Sequence, residues 1–326
     1  VLIAAGQDPT ALVGGVVREL ETTLRMGQGS HWVVEADEYD RTFLSLKPTV
    51  AVVTTLEADH LDCYRDIDDI RSAFEQFINT VPQNGCAVLC ADAPEIQTLN
   101  LDNKFEHITY GLSNGRLRAK QIEQNGFGSA FDVVENNNKL GRLRLQVPGR
   151  HNITNALAAV GVANHLGLDW TDVCDGIEAF RGVHRRFEVL GEVEGITVVD
   201  DYAHHPTEIR ATLDAARAGW SGRIVAVFQP HLYTRTRDFA PEFARALQKA
   251  DRVWITDIYP AREEPIPGID GNTIAIQIPD ANYAPTLDDL QEALIRDVQP
   301  GDLLLIMGAG DIEHTARKIY QSLGET

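Results

Sequence analysis

Residues 29–43 read GSHWVVEADEYDRTF, a short apolar strand that runs directly into Glu35, Asp37, Glu38 and Asp40. The next apolar run, PTVAVVTTLEADHLD, ends in a second polar group of Glu57, Asp59, His60 and Asp62. Ligands of open α/β sheets bind beyond the carboxyl ends of the strands. A hard cation such as Mg2+ takes oxygen ligands, often with phosphate supplying the rest. Glu35 is therefore a candidate ligand, and the two strand tips are expected to be neighbours that converge. His60 is a less usual partner for Mg2+, and its spacing fits a ligand and a hydrogen-bonding loop histidine equally well.

Three further strand ends carry reactive types. VDDYAHHPTE follows one apolar run. It fits a nucleotide site, with Asp201 on ribose hydroxyls and Tyr202 against a base, or a set of caps and turns made by Asp200, Asp201 and Thr207. FQPHLYTRTRD groups His231, Arg235 and Arg237 in what reads as a loop. Guanidinium forks suit an anionic ligand, and a solvated surface loop would use the same residues. MGAGDIEH has Glu313 where the dinucleotide fingerprint needs its third glycine, which argues against a nicotinamide cofactor.

The elements that must hold these residues alternate. Strands are expected at 32–35, 50–55, 87–90, 107–110, 196–199, 224–228, 252–256 and 303–307, most as continuous apolar runs of the doubly covered parallel kind. A helix is expected over 66–81, where Ile67, Ile70, Phe74, Phe77, Ile78 and Val81 share one face. Residues 116–147 alternate apolar and polar around the turn signal Asn125-Gly126, which predicts a small inserted antiparallel sheet. A helix over 152–166, closed by Gly167, sets Asn152 and Asn155 on one face. The class is α/β with two domains, 1–182 and 183–326.

A chain of 326 residues with 44% apolar content supports two cores. The net charge of −19 would repel a polyanion, which argues against a nucleic-acid partner. No apolar run suits a membrane span and no signal peptide is visible, so the expected compartment is cytoplasmic. Cys63, Cys86, Cys90 and Cys174 lack the paired spacing of a zinc site and read as buried thiols. The chain opens on Val1 in what looks like a helix end capped by Gly6, so a preceding segment is expected.

Taken in order, EADEYDRTF, LEADHLD, PGRHNITNALAA, HRRFE, VDDYAHHPTE, FQPHLYTRTRD and YPAREEPIPG resemble the Mur ligases of peptidoglycan synthesis, and among them the branch that adds L-alanine to UDP-N-acetylmuramate. The resemblance implies a central P-loop-type ATPase domain over 1–182, with a mostly parallel sheet and the small antiparallel insertion, then a Rossmann-like amino-acid domain. It also implies that the sugar-binding domain, the first strand and the phosphate-binding loop lie outside this sequence, which contains no Gly-Lys. As given, the chain is then expected to be inactive as a ligase. The implied reaction is ATP-driven amide formation through an acyl phosphate. Glu35 and His60 match the family's Mg2+ ligands, Asn152 and Asn155 the asparagines near adenine, and Arg186 the arginine at the phosphates. Asp201 and Tyr202 match the ribose and base contacts. His205, His231, Arg235 and Arg237 would face the muramoyl substrate or the incoming alanine, with His60, Arg186 and His205 nearest the chemistry. Some branches carry a carbamylated lysine at the position that aligns with Phe74, which fits alanine addition better than glutamate or diaminopimelate addition. A recycling ligase that joins a whole tripeptide to UDP-N-acetylmuramate is the alternative, and an inert remnant a further one. The oligomeric state stays open.

Overall fold

The computed structural model describes residues 1–57 and 63–324. The chain divides into two compact units, Val1–Gln146 with Arg150–Arg181 and Val147–Gly149 with Gly182–Thr326.

The first unit opens on one helical turn. Gly6, at φ +68°, closes it while the Gln7 and Gly6 N–H groups donate to the Leu2 and Ile3 carbonyls. That bond pair is a Schellman cap, as expected of Gly6. Strands β1 (Thr10–Val17), β2 (Thr22–Arg25) and β3 (Trp32–Val34) then form a three-stranded sheet in the order β2-β1-β3. β1 escapes the apolar pattern because Gly14 and Gly15 interrupt its run. All three residues of β3 are exposed, Trp32 at 68%, so this strand is not of the doubly covered kind.

A second sheet holds β4 (Val50–Val53), β5 (Cys86–Cys90), β6 (Glu106–Gly111), β7 (Leu117–Asn125), β8 (Gly128–Glu135) and β9 (Asn138–Leu145), in that order. β4 to β7 pair in parallel and β7 to β9 antiparallel. The expected insertion is thus an extension of the main sheet rather than a sheet of its own. Its turns use Gly126 (φ +55°) and the pair Asn136 and Asn137 (φ +47° and +69°), the positive φ values that tight hairpins demand. β3 pairs with β1, and β4 with β5. Among the described residues, the strands behind Glu35 and Glu57 are therefore not hydrogen-bonded neighbours, contrary to the expectation from their order.

Helix α1 (Ile67–Ile78) starts where the Asp66 carboxylate accepts the Asp69 N–H at 2.9 Å, and it buries Ile70, Ala73, Phe77 and Ile78. Phe74, at the lysine-aligned position, rests on Phe43 with ring centroids 5.2 Å apart. Helix α2 (Arg150–Leu166) lies close on the sheet: a Cβ on Gly161 would come within 2.9 Å of Val88 Cγ1. α3 (Trp170–Glu178) packs on β9.

The second unit runs β10 (Glu188–Val193), β11 (Ile196–Asp201), α4 (Pro206–Gly219), β12 (Ile224–Phe228), α5 (Tyr233–Leu247), β13 (Arg252–Thr256), α6 (Asn272–Ala275), β14 (Asn282–Ala284), α7 (Leu287–Asp297), β15 (Leu303–Met307) and α8 (Ile312–Leu323). The sheet order is β10-β11-β15-β12-β13-β14, with β10 alone antiparallel to its neighbour. Every residue of β11, β15 and β12 is buried, which accounts for their unbroken apolar runs up to the acidic end of β11. Because β15 inserts between β11 and β12, the loops VDDYAHHP, MGAGD and FQPHLYTR leave adjacent strand ends. Strand order therefore gathers the second unit's reactive residues.

Candidate active site

In the first unit Glu35 directly follows β3 and is exposed. Its Oε2 accepts the Gly14 N–H from β1 at 2.5 Å, and its own N–H donates to the Leu12 carbonyl. The rest of the acidic run shapes the loop through Asp37 and through its backbone. Asp37 accepts the Tyr39 N–H at 2.9 Å, the Tyr64 hydroxyl donates to the Glu38 carbonyl, and Asp40 and Arg41 adopt positive φ. Arg41 pairs with Asp69 of α1 at 2.7 Å and lies over the Tyr64 ring. Hydrogen bonds from Arg41 and Arg65 hold the Asp69 carboxyl down at about 2. Glu57 accepts from the Thr55 hydroxyl. His60, with Asp59 and Asp62, lies outside the described residues.

Asn152 and Asn155 stand in the first turns of α2, with Asn155 Nδ2 donating to Asn152 Oδ1 at 3.5 Å. Their shared face follows from their spacing.

The second unit holds a denser constellation. Asp201, at the end of β11, is buried with both oxygens engaged: Oδ2 accepts the Phe187 N–H at 2.7 Å and Oδ1 the Ala203 N–H at 2.8 Å. It fastens the HRRF segment to the VDDYAHHP loop and offers no outward oxygen to a ribose. Burial pushes its carboxyl up to about 6 despite the two backbone donors. Tyr202 receives Arg185 at 4.7 Å and Arg186 at 5.5 Å from its ring centroid. Arg186 is half exposed and reaches Glu208 at 3.4 Å. Arg185 is the more buried of the two: it donates to the Gly308 carbonyl at 2.7 Å, pairs with Glu313 at 3.0 Å and stands 3.9 Å from Asp200.

His205 is the N-cap of α4, with Pro206 in the first turn and Glu208 closing a capping box on the His204 and His205 N–H groups. Neither Asp200 nor Thr207 is that cap; Asp201 makes the turn. The rings of Tyr202, His204, His231 and Tyr259 form a chain, with successive centroids 5.2, 5.8 and 5.8 Å apart. Burial, then His204, Arg235 and Arg262, press the His231 imidazole down to about 4, so it is neutral at neutral pH. His231 Nδ1 and His205 Nε2 are both buried without a hydrogen-bond partner among the described residues. Polar atoms left so are unfavourable unless a ligand completes them.

Arg235 and Arg237 are not in a loop: α5 begins at Tyr233. Two residues apart on a helix they face different ways. Arg235 acts on His231, whereas Arg237 forms a fork with its neighbour Asp238 at 2.7 and 3.0 Å. The structure therefore keeps Arg235 with His231 and sets Arg237 apart. Glu263 accepts the Thr234 N–H at 3.0 Å, which docks the YPAREE loop on the start of α5.

Arg185, Glu208, Tyr259 and Glu263 belong to this constellation yet carried no assignment in the sequence. For Glu208 a signal was present, the H-P-T-E capping box. Arg185 had none, since its side chain is distinguished from that of Arg186 only by burial.

Residues 17–163 match the family description "Mur ligase middle domain" and residues 185–310 "Mur ligase, glutamate ligase domain". The chain is 47% identical over 99% of its length to a UDP-N-acetylmuramate–L-alanine ligase of Salinibacter ruber, covering 70% of that protein. It is 44% identical, again over 99%, to the enzyme of the same name from Geotalea uraniireducens, covering 72%. The crystal structure of the UDP-N-acetylmuramate-alanine ligase of Thermotoga maritima superposes with a TM-score of 0.83 at 30% identity, over 98% of this chain and 71% of that one.

Proposed function

The chain belongs to the Mur ligase family of ATP-using enzymes, and we propose that it carries the ATPase and amino-acid-binding parts of an ATP-dependent UDP-N-acetylmuramate:L-alanine ligase. The observation that carries this reading is the likeness to enzymes of that name across almost the whole chain, and the second unit's motifs leave adjacent strand ends. Residues 1–182 would serve ATP and 183–326 the amino acid together with the nucleotide contacts of Arg186 and Tyr202, in the cytoplasmic compartment where nucleotide-activated precursors are made.

The reaction needs two displacements. An oxygen of the muramoyl carboxylate attacks the γ-phosphorus of ATP, and the bond to ADP breaks, leaving an acyl phosphate. The L-alanine amine then attacks the acyl carbon, the amide forms, inorganic phosphate departs and the amine proton is lost. Negative charge spreads over the transferred group in the first step, so fixed positive groups do most of the work. Arg186, half exposed beside Tyr202, would supply one. Tyr202 offers an aromatic wall to the base. Asp201 acts by fixing the loops that carry Tyr202 and Arg186. Asn152 and Asn155 offer amide groups to adenine. His205, His231 and Arg235 would orient the carboxylate and amine of the second substrate, with His231 acting as an uncharged ring.

The exposed Glu35 side chain at a strand tip, with Oε2 on the Gly14 N–H and Oε1 the other oxygen, fits a hard cation, and Glu35 with His60 would hold Mg2+. When bound, the ion supplies charge neutralisation at the phosphates. Phosphate release by the full-length protein in ATP, Mg2+, UDP-N-acetylmuramate and L-alanine, with each substrate omitted in turn, tests the reading. Release that needs all of them is expected; release independent of L-alanine would overturn it.

A further inference from the structure

At the other end of the first unit's main sheet stands a cluster that the ligase chemistry does not use. Cys86 opens β5 and Glu106 opens β6, and the two are direct partners in the parallel register. His165 leans in from the last turn of α2. One ligand atom from each of the three lies within 4.8 Å of the others. The thiol is fully buried, while the His165 side chain is 17% exposed, so an ion has a route in from solvent.

We propose that Cys86, Glu106 and His165 form a binding site for a divalent transition metal of the zinc class, with water in the fourth position. The donor set of one sulfur, one imidazole nitrogen and one carboxylate oxygen is what such an ion prefers, and what Mg2+ and Ca2+ do not. Around a tetrahedral ion with bonds of about 2.0–2.3 Å, ligand atoms stand about 3.5 Å apart. An ångström or so of side-chain adjustment closes the site. His165 and Glu106 are already close: Nδ1 lies 3.1 Å from Oε2, near the spacing that two ligands of one ion take.

The local charge also matches. Arg116 bonds Glu106 Oε1 at 2.9 Å and Glu135 at 2.7 Å. Once the Cys86 thiol gives up its proton to solvent on binding, the two glutamates and the thiolate leave two negative charges after Arg116 is counted. A divalent ion neutralises them. The bound ion would tie the carboxyl end of α2 to the starts of β5 and β6, bracing the helix whose first turns carry Asn152 and Asn155. The three ligands come from three distant segments, so cysteine spacing carries no trace of them.

The test is Co2+ and Zn2+ titration of the full-length protein stripped of metal. Stoichiometric Co2+ should raise a thiolate-to-cobalt charge-transfer band that is lost in Cys86→Ser, weakened at least tenfold in affinity in His165→Gln, and kept in Cys90→Ser. Zn2+ at a hundredfold excess over its Kd should raise the melting temperature by about 5 °C, an effect absent in Cys86→Ser. No band and no shift, or a band that survives Cys86→Ser, overturns the proposal.

Discussion

Replacing Asp200 by asparagine should flatten the pH dependence of the second unit's stability. Asp200 is fully buried at the end of β11, and neither of its oxygens has a hydrogen-bond partner among the described residues. Burial pushes its carboxyl up to about 7. Arg185 opposes that shift, while Glu313, Glu188 and Asp201 add to it. A folded pKa above the unfolded value means that the folded chain holds the proton more tightly. Its contribution is therefore complete below about pH 4 and is lost as pH rises through about 7. With an unfolded pKa of about 3.9, the loss between about pH 5 and pH 8 comes to about 2.5 kcal/mol. Asparagine keeps the shape and cannot ionise. Urea unfolding of wild type and Asp200→Asn at both pH values, at constant m, isolates the effect, because Asp201 and His231 titrate in both proteins. Wild type should lose about 2.5 kcal/mol more than the variant across that interval. Equal losses in the two proteins would refute the claim that Asp200 is neutral when buried.

Asp201→Ala strands the buried Phe187 and Ala203 N–H groups, so it should destabilise the second unit by about 2–5 kcal/mol, with Asp201→Asn milder; denaturant midpoints decide it. Glu35→Gln should leave the melting temperature unchanged, because the side chain is exposed, while removing most L-alanine-dependent phosphate release; near wild-type turnover would exclude Glu35 as an Mg2+ ligand. Gly161→Val drives a branched side chain into Val88, Ile108 and Leu117 and should cost about 1–3 kcal/mol, read by thermal melting of the first unit.

The parts of the fold that were legible are those where burial alone writes the pattern. β11, β12 and β15 are covered on both faces, so they read as apolar runs whatever their neighbours. Gly167 marked the end of α2 because capping is local chemistry, whereas the apolar face that marked α1 ran on to Val81, past its end at Ile78. β1 was hidden by its paired glycines, and β3 was found but placed in the wrong sheet, since strand pairing is a long-range property that no run of residues encodes. The helical start of α5 was masked by YTRTRD, a polar stretch whose apolar face emerges only at Ala240 and Phe243. At the site, residue types were legible and roles were not. Asp201 reads as a ribose ligand until both its oxygens are seen to hold backbone, and Arg237 is paired with Asp238 while Arg235 stays with His231. The expectation of four buried thiols holds for Cys86 and Cys90, whereas Cys63 and Cys174 are partly exposed.

The reading as an L-alanine ligase rests most directly on which amine the enzyme accepts. Initial rates of the full-length protein with UDP-N-acetylmuramate, ATP and Mg2+ should be measured against L-alanine and, separately, against L-alanyl-γ-D-glutamyl-meso-diaminopimelate. A kcat/KM for L-alanine at least a hundredfold above that for the tripeptide is expected, about 2.7 kcal/mol of discrimination in the transition state. A higher kcat/KM for the tripeptide, or no ligation of L-alanine, would contradict it.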